Sequence, residues 1–358
     1  MKLYLVLLLN LLLLSASCSY VQSDQIPAPS NISPTPTAVA LLMPDAELQK
    51  QIEDIAKEAK GKVGVAAVVL ETGENVSLNG NEHFPMQSIY KVPISMAVLK
   101  MVDDAKVRLG QQVDISPDDF VRWGFHSPIR NLNPAGTQMP VYEIMRYSTS
   151  ESDGTATDVL LELVGGPAAV QAYLSDLGIE NMIVSNTIKE ISRDWETQYR
   201  NWATPDAAVE LLRVFQEGRA LSPDSTNLLR QFMTETDTGA RRLKAGLPKE
   251  VFLAHKTGTG GTKDGITGAT NDFGIITSPD GRHIAIAVFV SDSSADGPTR
   301  EKVIADIAKA VWEKWSGEPA VQDVSKGKTD SYKLCLTHTL SRSVFLNNPT
   351  PPGLTANG

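Results

Sequence analysis

Two strand–turn–strand stretches stand at opposite ends of this chain, "VGVAAVVLETGENVSLNG" from Val63 and "DFGIITSPDGRHIAIAVFV" from Asp272. Each is β-rich and broken by a turn signal, Thr72-Gly73-Glu74-Asn75 in the first and Pro279-Asp280-Gly281 in the second. A lone two-stranded hairpin is marginal in water. Pairing the distant stretches in one antiparallel sheet serves both. Each stretch has a helix on its outer side. In "DAELQKQIEDIAKEAK", Leu48, Ile52, Ile55, Ala56 and Ala59 fall at helical spacing; in "REKVIADIAKAVWEKW", Val303, Ile304, Ile307, Val311 and Trp315 form one stripe. Residues 87–250 read mainly as helices and loops, a second lobe. The fold class is therefore α+β, with the N- and C-terminal helices packed on the sheet and a groove between sheet and lobe as the natural place for chemistry.

With 42% hydrophobic and 21% charged residues, the 358-residue chain has ample core for this arrangement. Its net charge of −9 is spread among mixed acidic and basic residues, with no basic stripe, which argues against a nucleic-acid partner. "MKLYLVLLLNLLLLSAS", residues 1–17, reads as an export signal, because its leucine run is short and ends in small residues. Export to the periplasm or outside the cell follows. Cys18 comes next and is a candidate lipid anchor, the one membrane contact the sequence suggests; ordinary cleavage after Ser17 fits as well. Residues 18–44 form a Pro/Ser-rich tether, 45–316 the globular domain that would carry any chemistry, and 317–358 read as a disordered tail. Cys18 and Cys335 give no disulfide framework, and the five histidines (83, 126, 255, 283, 338) show no metal-ligand spacing. No metal or cofactor is expected, and monomer is the default.

Within the apolar "FPMQSIYKVP", Ser88 precedes Lys91 by one helical turn, so both side chains share a face. Burial favours the neutral amine, which can take the hydroxyl proton and make the serine a nucleophile. An N-cap serine beside a snorkelling lysine is the plain alternative. Three further stretches weigh against it: Ser152-Asp153-Gly154 at the start of a helix, Lys256-Thr257-Gly258-Thr259 set for a strand at the groove edge, and Arg241-Arg242 just before that strand. Each is common alone. Together, in this order, they are specific.

S-x-x-K, S-D-N and K-T-G form the motif set of class A β-lactamases and penicillin-binding proteins. From about Asp45 to Trp315 the chain resembles that superfamily, and it is most similar to a class A branch with a "QYxNW" stretch, here Gln198-Tyr199-Arg200-Asn201-Trp202. The resemblance implies a five-stranded antiparallel sheet and an all-helical lobe, with a small-molecule β-lactam as substrate. By matching motif it implies Ser88 as nucleophile, Lys91 as proton acceptor or relay, and Ser152 as proton donor to the lactam nitrogen. Lys256 would hold that network positive, with Thr257 and Thr259 binding the substrate carboxylate. The N–H groups of Ser88 and Thr259 would form the oxyanion hole, worth roughly 2.7–4 kcal/mol per donor in the transition state. Arg242 fits a bidentate partner for the carboxylate, with Arg241 solvated beside it. Phe125 and His126 are candidates for the groove wall.

Two departures stand against that pattern. Gly154 replaces the usual asparagine and removes its amide contact, which implies a changed substrate range. More seriously, the glutamate that activates the deacylating water is expected about 36 residues beyond the motif serine, and that count reaches Ile188. Either the loop shifts so that Glu190 serves, or the acyl-enzyme stalls. The sequence reading is an exported β-lactamase that hydrolyses penicillins or cephalosporins through an acyl-serine. The alternatives are a slowly deacylating penicillin-binding or D,D-peptidase-like protein, or a β-lactam-sensing binding module.

Overall fold

The distant strands pair as their sequences require. The computed structural model describes residues 43–316; the export signal, Cys18, nearly all of the tether, Cys335 and the tail lie outside the described residues. The principal sheet comprises β1 (Lys62–Val69), β2 (Asn75–Leu78), β3 (Phe252–Thr259), β4 (Thr262–Lys263), β5 (Ile266–Thr277) and β6 (His283–Ser293). Its order is β2-β1-β6-β5-β3, antiparallel throughout, with the two-residue β4 attached to β5. The joint between the chain's two ends is the β1–β6 ladder, in which Val65 faces Val288 and Ala66 faces Ala287.

The helices are α1 (Ala46–Ala56), α2 (Lys91–Asp103), α3 (Pro128–Leu132), α4 (Val141–Thr149), α5 (Gly154–Leu163), α6 (Pro167–Asp176), α7 (Ile188–Ile191), α8 (Pro205–Gln216), α9 (Pro223–Thr234) and α10 (Gly297–Trp315). Strand side chains alternate between faces, and both faces of this sheet are covered. Val65, Ala67, Ile286 and Val288 join Leu48 and Ile52 of α1 and Ile304, Ile307 and Val311 of α10 in one core. Ala66, Val68, Ala287 and Phe289 turn the other way, into a core shared with the helical lobe. That is why β1 and β6 read as nearly unbroken apolar runs. Asp45 and Asp296 cap α1 and α10 by accepting main-chain N–H groups of their first turns.

At the centre of the lobe lies α2, whose residues 91–99 are all buried, packed by α4, α5, α6 and α9. A helix apolar on every side belongs in a core. The five-stranded sheet and the terminal helices expected from the sequence are present, and the lobe is mainly helical but not all-helical, since Gln112–Ile115 pairs with Thr137–Pro140 in a two-stranded ladder. The short ladders that pin the loops beside the groove carry no sequence signature of their own: Phe84 pairs with Ala203, and Met182 pairs with Ala203 from the other side.

Candidate active site

Where the edge strand β3 meets the lobe, a groove with a cavity of about 650 Å³ opens. Ser88 reaches it from a 3-10 turn, Gln87–Tyr90, that feeds directly into α2 at Lys91. Residues i and i+3 eclipse in such a turn, so the serine and lysine share a face as their spacing demands. Gln87, just before the serine, takes the left-handed conformation with φ 50°. Behind it β3 passes so close that a Cβ on Gly258 would meet Met86 O at 2.4 Å. Glycine is what allows the strand to lie against the serine's turn.

Lys91 is 1% exposed and Lys256 fully buried. The Lys91 ammonium group donates to Ser152 O (2.6 Å), Ser152 Oγ (3.2 Å) and Asp153 O (3.4 Å). From the strand side Lys256 Nζ donates to the same Ser152 Oγ at 3.0 Å and to Thr257 O at 3.2 Å. Ser152 itself has φ 60°, which presents its carbonyl and its hydroxyl to the lysines together. Burial lowers the pKa of Lys91 to about 8, against the opposing pull of the Asp153 and Asp158 carboxylates. Lys256 is held well below the ordinary lysine value by burial and by the Lys91 charge. One hydroxyl between two amines, at least one of them readily neutral, makes a short path for protons.

At the other end of the groove Thr257 Oγ1 and Thr238 Oγ1 share a hydrogen bond of 2.8 Å, and Arg242, buried beneath them, donates from Nη2 to Thr259 Oγ1 at 2.7 Å. Its Nη1 donates to two backbone carbonyls, Gly258 O and Asn271 O. The full fork expected of Arg242 is thus not offered to the groove; its charge reaches the rim through Nη2 and Thr259. Arg241 is exposed and pairs with Glu301 at 2.6 Å.

The groove wall brings together Ser88, Lys91, Ser152, Gly154, Arg242, Thr257 and Thr259, with Phe125 and His126 beside them. Lys256 and Gly258 sit immediately behind on β3. Glu190 is not among them. The expectation that a shifted loop would bring its carboxylate to the groove is corrected by helix capping. Thr187 and Glu190 form a reciprocal capping box at the start of α7, in which Thr187 N donates to Glu190 Oε2 (2.9 Å) and Glu190 N to Thr187 Oγ1 (3.1 Å). Asn186 Nδ2 adds a third contact at 3.3 Å, and the Thr187 amide is the chief cause of a lowered Glu190 pKa. The carboxylate lines a separate cavity beside Pro167 and Gln171. Ile188 and Ile191, each 8% exposed, face the groove instead.

Four residues that shape the site were missed in the sequence. Asp158, one turn along α5 from Gly154, accepts from Ile188 N (2.7 Å) and Lys189 N (3.0 Å) and ties α7 to α5. Its i+4 spacing from the motif glycine was the available clue. Gln87 Nε2 donates to Gln198 Oε1 at 2.9 Å, joining the serine's turn to the loop. Glu151 and Ile191 line the groove with no signal beyond their neighbours.

Comparison with known proteins shows the family of the chain. Residues 47–315 match the model of the "Beta-lactamase enzyme family". The chain is 39% identical to Beta-lactamase VEB-1 of Pseudomonas aeruginosa, over 74% of this chain and 89% of that protein. It is 40% identical to Extended-spectrum beta-lactamase PER-1 of the same organism, over 74% and 86% respectively. The crystal structure of a beta-lactamase from Chitinophaga pinensis DSM 2588 superposes with a TM-score of 0.73 at 43% identity, covering 75% of this chain and 99% of that one.

Proposed function

The chain belongs to the class A β-lactamase family, and from that premise we propose how its own residues open and release a β-lactam ring. It hydrolyses β-lactams through an acyl-serine intermediate. Ser88 Oγ attacks the lactam carbonyl carbon and gives its proton to Lys91 Nζ. The oxyanion is held by the N–H groups of Ser88 and Thr259, donors aimed where charge develops. The C–N bond breaks as Ser152 Oγ–H protonates the lactam nitrogen, and Lys91 returns a proton to Ser152. Lys256, Thr257, Thr259 and Arg242 receive the substrate carboxylate; the buried Arg242 guanidinium, which reaches the rim at Thr259, favours an anion there. Water then releases the product from Ser88.

The observation that carries this reading is the Ser152 hydroxyl held between Lys91 and Lys256, at 3.2 and 3.0 Å, in the groove that Ser88 enters. The substrate class is penicillins and cephalosporins, with Gly154 altering the range because it offers no amide to an acylamino side chain. Residues 45–316 form the catalytic unit, and the 1–17 leader directs the chain out of the cytoplasm, with Cys18 either lipidated or simply the mature N-terminus. Ser88→Ala tests the assignment: hydrolysis of a chromogenic cephalosporin and covalent labelling, read by intact mass, should both vanish. Labelling that persists in this variant places the nucleophile elsewhere.

A further inference from the structure

Freeing Ser88 from its acyl group requires a water and a group to take its proton, within hydrogen-bond reach of the acyl carbon. Among the described residues, the titratable side chains lining the groove are Lys91, His126, Glu151 and Arg242. Arg242 stays charged. Glu151 is held by Arg146 Nη1 at 2.6 Å, and His126 is exposed on the rim. The loop side is hydrocarbon. A Cβ on Gly154 would lie 3.3 Å from Ile188 Cγ2 and 3.2 Å from both His126 O and Val121 Cγ2. The isoleucine methyl therefore packs over the glycine, and the two departures from the family pattern are one packed unit. Asp158 cannot stand in, since its carboxylate accepts the N–H groups of Ile188 and Lys189 and faces another cavity.

Building on the acyl-serine reading above, we propose that Lys91 is the base in both halves of the reaction and that deacylation through it is the slow step, so that acyl-enzyme accumulates during turnover. The proton balance permits it. When acylation ends, the serine proton has left on the lactam nitrogen, and Lys91 is again neutral. In the neutral amine the two N–H groups would go to Ser152 O and Asp153 O, which leaves the lone pair for the hydroxyl side, where Ser152 Oγ lies at 3.2 Å. Water oxygen adds to the acyl carbon, and its proton passes to Lys91 Nζ. The C–Oγ bond then breaks, Lys91 returns the proton to Ser88 Oγ, and the new carboxylic acid ionises to solvent. Burial is the chief influence against the ammonium form of Lys91; Asp153, which caps α5, and Asp158 on α5 favour it, and Lys256 from β3 is the neighbouring amine whose own charged form the Lys91 charge disfavours. With its pKa near 8, only a minor fraction of Lys91 is neutral at pH 7.

The test uses the full-length protein and a saturating cephalosporin, with adduct mass followed during turnover and, after removal of excess substrate, during decay from pH 6 to 9. The expected result is adduct on most molecules during turnover, with a decay rate that rises about tenfold or more between pH 6.5 and 8.5 and has no descending limb. Ile188→Glu, which supplies a carboxylate on the loop side, should speed decay at pH 7 by about 100-fold and flatten its pH dependence, whereas Ile188→Ala should change it by no more than a few fold. Largely unmodified protein during turnover, or decay independent of pH, overturns the proposal, and both are read on the native chain whether or not a variant folds. Tenfold slower decay in Glu151→Gln, His126→Ala or Glu190→Gln also overturns it, by naming another base. Ile188→Ala matching Ile188→Glu overturns it too, since blockage rather than a missing base would then be the cause. No adduct at all, or an adduct that survives Ser88→Ala, is a failure of the acyl-serine reading itself.

Discussion

A methyl group on Gly258 would meet not only Met86 O but also Gln87 Cβ, at 3.1 Å, so the strand and the nucleophile's turn touch backbone to backbone. Gly258→Ala should therefore push β3 off that turn. We expect acylation of Ser88 to slow by about 100-fold and stability to fall by about 1–3 kcal/mol, measured by rapid-quench mass analysis and denaturant unfolding. Unaltered acylation would show that the seat of Ser88 does not depend on the strand. The chemistry of single residues was largely legible in the sequence, because S-x-x-K and K-T-G carry their own spacing. What the glycine is for was not, since its neighbour lies far away along the chain. Glu190 teaches the opposite lesson. Thr187-Ile188-Lys189-Glu190 is itself a capping-box pattern, and a helix starting there turns that carboxylate back toward main-chain amides and away from a groove.

Between elements, the loop from Ser185 to Asn201 is closed at its neck by one side chain. Asn201 Oδ1 accepts from Ser185 N and Asn186 N, and its Nδ2 donates to Asn186 O, all within 2.9 Å. The far side of the loop is tied to α5 through Asp158, whose carboxyl has its pKa raised by burial to about 6, although the amides of Ile188 and Lys189 oppose the shift. A carboxyl raised in the folded state binds its proton more tightly there than in the unfolded chain. Its contribution to stability is therefore fully present below the ordinary value of 3.8 and is lost as pH rises through about 6. Other carboxylates here shift the opposite way, Asp45 and Asp103 among them, so the useful quantity is a difference. Stability of the native protein minus that of Asp158→Asn should fall by about 2 kcal/mol between pH 4.5 and 7. Equal differences at both pH values, in urea melts, would mean that Asp158 titrates normally. None of this clasp was legible in the sequence, because it joins a helix residue to backbone amides that become neighbours only after the loop folds back.

At the scale of the whole molecule, two cores share one sheet. Val288 of β6 faces the α1/α10 core and its neighbour Phe289 faces the lobe core, while the groove opens where the sheet's edge strand meets that lobe. The alternation that makes such sharing possible was legible, since runs apolar at every position imply burial on both faces. The location of the groove followed from it together with the motif on β3. A chain this long could unfold in parts, but a core that loses its sheet loses its partner, so the two should melt together. Ile307 tests this from the far side. It lies on α10, fully buried, in the core that does not contain Ser88. Ile307→Ala should lower stability by about 2–5 kcal/mol and leave the acylation rate of Ser88 unchanged below the melting transition. In a background with Trp123, Trp195 and Trp202 changed to phenylalanine, Trp312 and Trp315 on the same helix report on that core, and acylation by a β-lactam reports on the groove. The two midpoints should move down together in the variant and coincide in both proteins, as one cooperative transition requires. Tryptophan fluorescence that changes while acylation persists would divide the molecule at the sheet, and the groove would then owe its shape to the lobe and β3 alone.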